Sequence, residues 1–196
     1  MSNTYSNHYL APTMPKPPAM RLILHLAIIA SCALLISASA SEPPREETKW
    51  YSFTDAVKLT QLDPRPIMID VYTDWCGWCK RMDATTFRDS AVSEYLNTAF
   101  YAVKLDGESR DSFVFKGKTY KYVPNGRRGY NELAAALMNG RMSYPTVVML
   151  NEKAEMIQPI AGYKQAREFE MILHYIGEGA YKGVKWETFQ QEFKNR

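Results

Sequence analysis

Ile67-Met-Ile-Asp-Val-Tyr-Thr-Asp-Trp-Cys-Gly-Trp-Cys-Lys80 is the stretch that decides the reading of this chain. Ile67, Met68, Ile69 and Val71 form a short apolar run behind the breaker Asp63-Pro64-Arg65-Pro66, the pattern of a buried strand. The strand runs into a Cys-x-x-Cys turn that opens a helix, with Cys76 at or just before its first residue and Cys79 one turn further in. Free N–H groups and the macrodipole at a helix N-terminus favour negative charge, so a thiolate there is stabilised. Two thiols this close can also close a small disulfide ring, and the pair meets the requirements of a dithiol redox centre.

Outward from this stretch, helix and strand signatures alternate. Upstream, Trp50-Tyr-Ser-Phe53 suggests a short strand, and Thr54-Asp55 offers a cap for an amphipathic helix carrying Ala56, Val57, Leu59 and Leu62. Downstream, the redox helix is expected to continue from Arg81 to Phe87, with Met82 and Phe87 turned inward. A further helical piece spans Asp89 to Asn97, and a strand spans Phe100 to Asp106. Residues 107–130 are less regular, with a β-hairpin from Phe113 to Tyr122 turning at Lys116-Gly117-Lys118 and a turn at Val123-Pro-Asn-Gly126. Asn131 to Met138 reads as a short helix with Gly140 at its C-terminal cap. A strand then enters through Tyr144-Pro145, turns at 151–154 and pairs back over Glu155 to Ile160, before Gly162 breaks it. Phe169, Ile172, Leu173 and Ile176 mark one face of a helix, and Trp186 to Phe193 suggests a last one.

A hydrophobic fraction of 46% supports a real core, and a formal charge of +3 is too small to argue for nucleic acid. Lys16 and Arg21 are the only charged residues before Ser41. Met14 and Met20 both offer a start. From Met20, a basic residue, the apolar run Leu22 to Ile36 and Ser37-Ala-Ser-Ala40 make a secretory signal, with cleavage after Ala40. A lipoprotein reading stands beside it, since Ile29-Ala-Ser-Cys32 fits a lipobox; an uncleaved anchor is the third. All three place the remainder outside the cytoplasmic membrane. Residues 41–47 read as a linker, 48–178 as the domain and 179–196 as an extension. With Cys32 inside the signal, Cys76, Cys79 and the distant His174 fall short of the four ligands of a structural zinc site, so no metal is expected. His174 lies off the apolar stripe of its helix and reads as exposed. The basic residues Lys116, Lys118, Lys121, Arg127 and Arg128 read as a solvated hairpin, with a partner surface as the rival.

The order of elements, with Trp75-Cys76-Gly77-Trp78-Cys79-Lys80 leaving the second strand, resembles the thioredoxin fold, a central mixed sheet flanked by helices. Trp78 stands where thioredoxin has proline. Asp70 matches the family's buried aspartate, Lys104 its lysine partner on the neighbouring strand, Tyr144-Pro145-Thr146 its cis-proline loop and Gly162 the glycine after the last strand. The hairpin insertion, Gly126-Arg-Arg-Gly-Tyr130 and Trp186-Glu-Thr-Phe189 resemble a group of exported bacterial thioredoxin-like proteins.

The resemblance implies a thiol–disulfide oxidoreductase that works without a cofactor beyond its own Cys76–Cys79 disulfide. Cys76 would be the exposed nucleophile and Cys79 the resolving thiol. Asp70 would accept the proton that Cys79 loses, tempered by Lys104. Trp75, Gly77, Trp78, Tyr144 and Pro145 would meet the substrate, the last two through backbone groups that pair with an extended segment. Expected partners are protein thiols and disulfides together with a membrane electron donor, and the protein is expected to act as a monomer. The Asp70/Lys104 pair tilts the direction to reduction or isomerisation. Two rivals remain: a binding module on a thioredoxin scaffold, and an electron relay to a partner thiol protein.

Overall fold

The computed structural model describes residues 46–195. The leader 1–40, with Cys32 and the candidate cleavage site, and most of the linker lie outside the described residues.

Five strands form the central sheet: β1 (Trp50–Tyr51), β2 (Ile67–Tyr72), β3 (Tyr101–Asp106), β8 (Thr146–Leu150) and β9 (Met156–Ala161). Their spatial order is β1-β3-β2-β8-β9; β1, β3 and β2 run parallel, while β8 and β9 are each antiparallel to the preceding neighbour. This is the mixed sheet of the thioredoxin fold. The central strand β2 is paired on both edges, which explains its unbroken apolar run.

Because successive side chains of a strand point to opposite faces, the parity of β2 divides the core in two. Ile67, Ile69 and Val71 pack with α1 (Phe53–Leu62) and α4 (Glu132–Leu137) through Phe53, Ala56, Leu133 and Leu137. Met68 packs on the other side with α2 (Gly77–Ala84), α3 (Ser90–Ala99) and α5 (Ala166–Gly177) through Met82, Leu96 and Phe169. Asp70 shares the parity of Met68 and is fully buried.

Two hairpins, β4–β5 (Phe113–Phe115, Lys118–Tyr120) and β6–β7 (Tyr122–Val123, Tyr130–Asn131), fill the segment between β3 and α4. Lys116 and Gly117 both take positive φ, as the two-residue turn of the first requires. Phe113 and Phe115 anchor that hairpin edge-on against Phe53, at 6.0 and 5.2 Å between ring centroids. The second hairpin was not legible beyond its turn, because its strands are two residues long.

Three local expectations are corrected. The cap of α1 is Ser52, whose hydroxyl accepts the Asp55 N–H and donates to the Asp55 carboxylate at 2.7 Å, and Leu62 ends exposed in the last turn. The redox helix stops at Ala84 and gives way to a 3₁₀ turn at Thr86–Arg88. Thr85 turns its hydroxyl back to the Arg81 carbonyl, and the buried Thr86 hydroxyl is held by the Lys164 carbonyl at 2.6 Å, so the chain bends there. Met82 and Phe87 are nonetheless both buried. His174 is not a free surface residue. It stacks on Tyr95 at 3.8 Å and bonds Glu178, beneath α6 (Trp186–Lys194), whose Phe193 closes over it.

Candidate active site

Cys76 caps α2: its Sγ accepts the Cys79 N–H at 3.1 Å, and its backbone is extended where the helix begins. The two sulfurs are joined as a disulfide. Cys76 keeps 5% of its surface exposed and Cys79 only 1%. The order of accessibility follows from the helix start, but Cys76 is far less exposed than expected and sits between two exposed tryptophans. Trp75 and Trp78 are 51% and 58% exposed. Gly77 has no atom near the position a Cβ would take, so nothing in the structure demands glycine there.

Cys79 lies one turn before the buried Met82 on α2, on the side of the sheet to which Asp70 also points. Asp70 pairs in register with Lys104 across β2 and β3, and Lys104 Nζ lies 3.0 Å from its Oδ2. Neither Asp70 oxygen accepts a well-directed hydrogen bond among the described residues, so this is a charge contact rather than full satisfaction. Burial raises the Asp70 pKa from 3.8 to about 6; Lys104 works against the rise and Asp83 adds to it. For Lys104, burial pulls the pKa down, but the combined attraction of Asp70 and Asp83 leaves it raised.

Asp83 is the residue the sequence reading missed. Its carboxylate pairs with Lys104, making a row of charges from the buried Asp70 to a half-exposed acid. Its spacing was a usable signal, because Asp83 is four residues beyond Cys79 and so shares its helix face. Lys104 is further enclosed by the rings of Tyr72, Trp50 and Phe87, at 4.8, 5.2 and 5.6 Å.

Tyr144–Pro145 is a cis peptide and Pro145 is buried. The Pro145 carbonyl accepts the Gly162 N–H at 2.8 Å and a proline has no N–H, so the backbone of Tyr144 is what this loop can offer an incoming strand. The Tyr144 ring stands edge-on to Trp75 at 5.8 Å. It lies against Gly107, where any Cβ would overlap the phenol. Burial, with Glu108 and Asp106 nearby, pushes the Tyr144 hydroxyl up to about 12.

Each tryptophan carries an arginine. Arg81, three residues along α2, lies 5.6 Å from the Trp78 ring, which also meets Tyr163 at 5.4 Å. Arg128, from the β6–β7 loop, lies 4.5 Å from the Trp75 ring, and the Trp75 indole N–H donates to Glu108 at 3.0 Å. Arg128 therefore does not belong to a merely solvated hairpin: the insertion reaches the cysteine turn. Among the described residues no group of acids, histidines or cysteines is placed to hold a metal ion.

The family model described as "Thioredox_DsbH: Protein of unknown function, DUF255" matches residues 35–172, well over half of the chain. The chain belongs to the Thioredox_DsbH family. This makes it a thioredoxin-like relative of the thiol–disulfide oxidoreductases. The "Thiol:disulfide interchange protein DsbD" of Yersinia enterocolitica is 33% identical over 82 residues, covering 38% of this chain and 14% of that protein. The chain thus matches only a small part of this curated relative. The solved structure titled "DsbH Oxidoreductase" superimposes with a TM-score of 0.52 at 13% identity, covering 72% of this chain and 94% of that one. A putative disulphide-isomerase from Bacteroides thetaiotaomicron gives 0.50 at 22% identity, covering 73% and 99%. These two likenesses concern the fold.

Proposed function

We propose that the protein is an exported thiol–disulfide oxidoreductase that acts on protein disulfides in the reducing or isomerising direction. The observation that carries this is the Cys76–Cys79 disulfide at the N-terminus of α2, on the side of the sheet where Asp70 is buried against Lys104. In the reduced form, the Cys76 thiolate attacks a substrate disulfide, forms a mixed disulfide and releases one substrate thiolate. The Cys79 thiolate then attacks Cys76 Sγ, closes the protein disulfide and releases the second thiolate, so two electrons pass to the substrate. Asp70, raised to about 6, is suited to take the Cys79 proton, and Lys104 favours the ionised carboxylate that accepts it. Another dithiol, presented by a membrane partner, restores the reduced pair. Trp75, Trp78 and the Tyr144 backbone receive the substrate segment. The protein acts as a monomer behind a leader ending at Ala40, or is held at the membrane through Cys32 if the lipobox is used.

Support for export comes from the basic, apolar and small-residue order of residues 21–40. Support for the reducing direction comes from the Asp70–Lys104 pair. The test is twofold. With dithiothreitol as donor, the purified protein reduces insulin disulfides, Cys76→Ser abolishes this, and Cys79→Ser accumulates a mixed disulfide on Cys76. The potential of the couple then fixes direction: a value near about −270 mV supports a reductase, and one near about −120 mV replaces that reading with an oxidant.

A further inference from the structure

Beside the cysteine turn lies a cleft of about 530 Å³, lined by Trp75, Glu108, Arg128, Tyr130, Met142 and Tyr144 among others. Its walls come from the turn itself, the loop after β3, the β6–β7 loop and the cis-proline loop. Two glycines build its shape. Gly107 admits the Tyr144 ring, and Gly129 lets the β6–β7 loop close against Tyr122.

The charges in this cleft are not equivalent. Glu108 accepts the Trp75 indole N–H at 3.0 Å. Asp106, beneath it, accepts the Glu108 backbone N–H at 2.9 Å. Arg128 is in no ion pair among the described residues; its guanidinium rests at 4.5 Å on the Trp75 ring. A guanidinium resting on a ring keeps N–H donors to spare, and their fork matches a carboxylate in a two-bond contact. Glu108 already holds the indole N–H with one oxygen, while the Arg128 guanidinium has no carboxylate partner among the described residues, so an acidic side chain supplies the partner that is missing.

We infer that this cleft is a specificity pocket for an acidic side chain, Asp or Glu, carried by the partner's extended segment within about two residues of its reactive cysteine. Arg128 binds the carboxylate, while Trp75 and Tyr144 cover the side chain's apolar stem. The inference rests on the oxidoreductase reading for the identity of the partner. It makes the insertion, rather than the dithiol, the part that chooses substrates.

The test uses the full, disulfide-bonded protein and extended peptides in which serine replaces cysteine, so that binding is read without exchange. One peptide carries Asp, and the other Lys, two residues from the serine. The Trp75 indole N–H resonance reports occupancy. The Asp peptide should bind about fivefold tighter at low salt and shift that resonance. Arg128→Glu should reverse the preference, while Arg127→Glu, at the exposed neighbouring position, should keep it. Equal binding, no binding, a preference for Lys, or an acid preference that survives Arg128→Glu would each overturn the inference. Insulin reduction measured on the same samples separates the two ideas: exchange without charge preference sinks the pocket alone, and charge preference without exchange sinks the oxidoreductase reading and leaves the pocket supported.

Discussion

The two tryptophans that bracket Cys76 and Gly77 look alike in sequence and are supported in different ways. Trp78 takes its arginine from its own helix, and its second ring, Tyr163, follows Gly162 after β9. Trp75 donates a hydrogen bond to the loop after β3 and takes a ring from the cis-proline loop and an arginine from a hairpin about fifty positions away. One flank joins two segments, the redox helix and the loop after β9; the other exists only once four separate segments have met. The hairpin of the second can be changed without touching the dithiol, which is why the proposed selectivity is placed there.

The comparison breaks most deeply if the chemistry belongs to neither flank but to the acid buried on the central strand. Asp70→Asn should slow exchange by about a hundredfold at neutral pH while leaving both indoles in place, as measured by insulin reduction and tryptophan fluorescence. The same variant should be more stable. Folded Asp70 keeps its proton to about pH 6 and an unfolded one only to 3.8, so the folded state binds more protons between those values. Stability from this group is therefore complete below 3.8 and is lost as pH rises through about 6. Asparagine removes that loss, a gain of up to about 3 kcal/mol above the window, reduced by whatever Lys104 gives up, and of nothing below it. Urea unfolding of the oxidised protein on both sides of the window reads it.

A direct contest of the flanks comes next. Trp75→Ala removes an edge-on pair, an indole hydrogen bond and the seat of Arg128, and should raise KM for a protein disulfide about tenfold. Trp78→Ala removes a tilted pair and a local cation contact, and should raise it about threefold. If the two losses are equal, the difference in how the flanks are built has no functional meaning. The smallest effect sharpens the contrast. Arg81→Ala should cost about 0.5–1 kcal/mol in thermal unfolding, since its cation–π contacts with Trp78 and Tyr163 lie at the surface.

Much of this site could be read from residues close in sequence, and the unread parts share a cause. The run Ile67 to Val71, the Cys-x-x-Cys turn and the position of Asp70 inside the strand are local signals, and the sheet repeats them faithfully. Lys104 was found through the resemblance, and the register of β2 with β3 puts it opposite Asp70. Asp83 escaped because its helix spacing places it on the face of Cys79 but does not say that Lys104, on a distant strand, meets it there. Arg128 escaped because its meaning depends on a two-residue hairpin folding back over Trp75, and no period in the sequence announces so short a strand. The bend at Thr85 escaped because it depends on Thr86 meeting the Lys164 carbonyl, a contact between distant segments.

The central place of β2 also sets an order in time. Its partners arrive late: Asp70 pairs with Lys104 on one edge and with Val147 on the other. Cys76 and Cys79, by contrast, are neighbours as soon as a single turn of helix forms. Folding should therefore bring the two cysteines together before Asp70, the proposed base, is buried, because the non-local strands close slowly when long loops must be brought together. Before residues 146–150 are seated the two sulfurs should react as an ordinary exposed pair, so the proposed selectivity would be acquired with the fold rather than inherited from the motif.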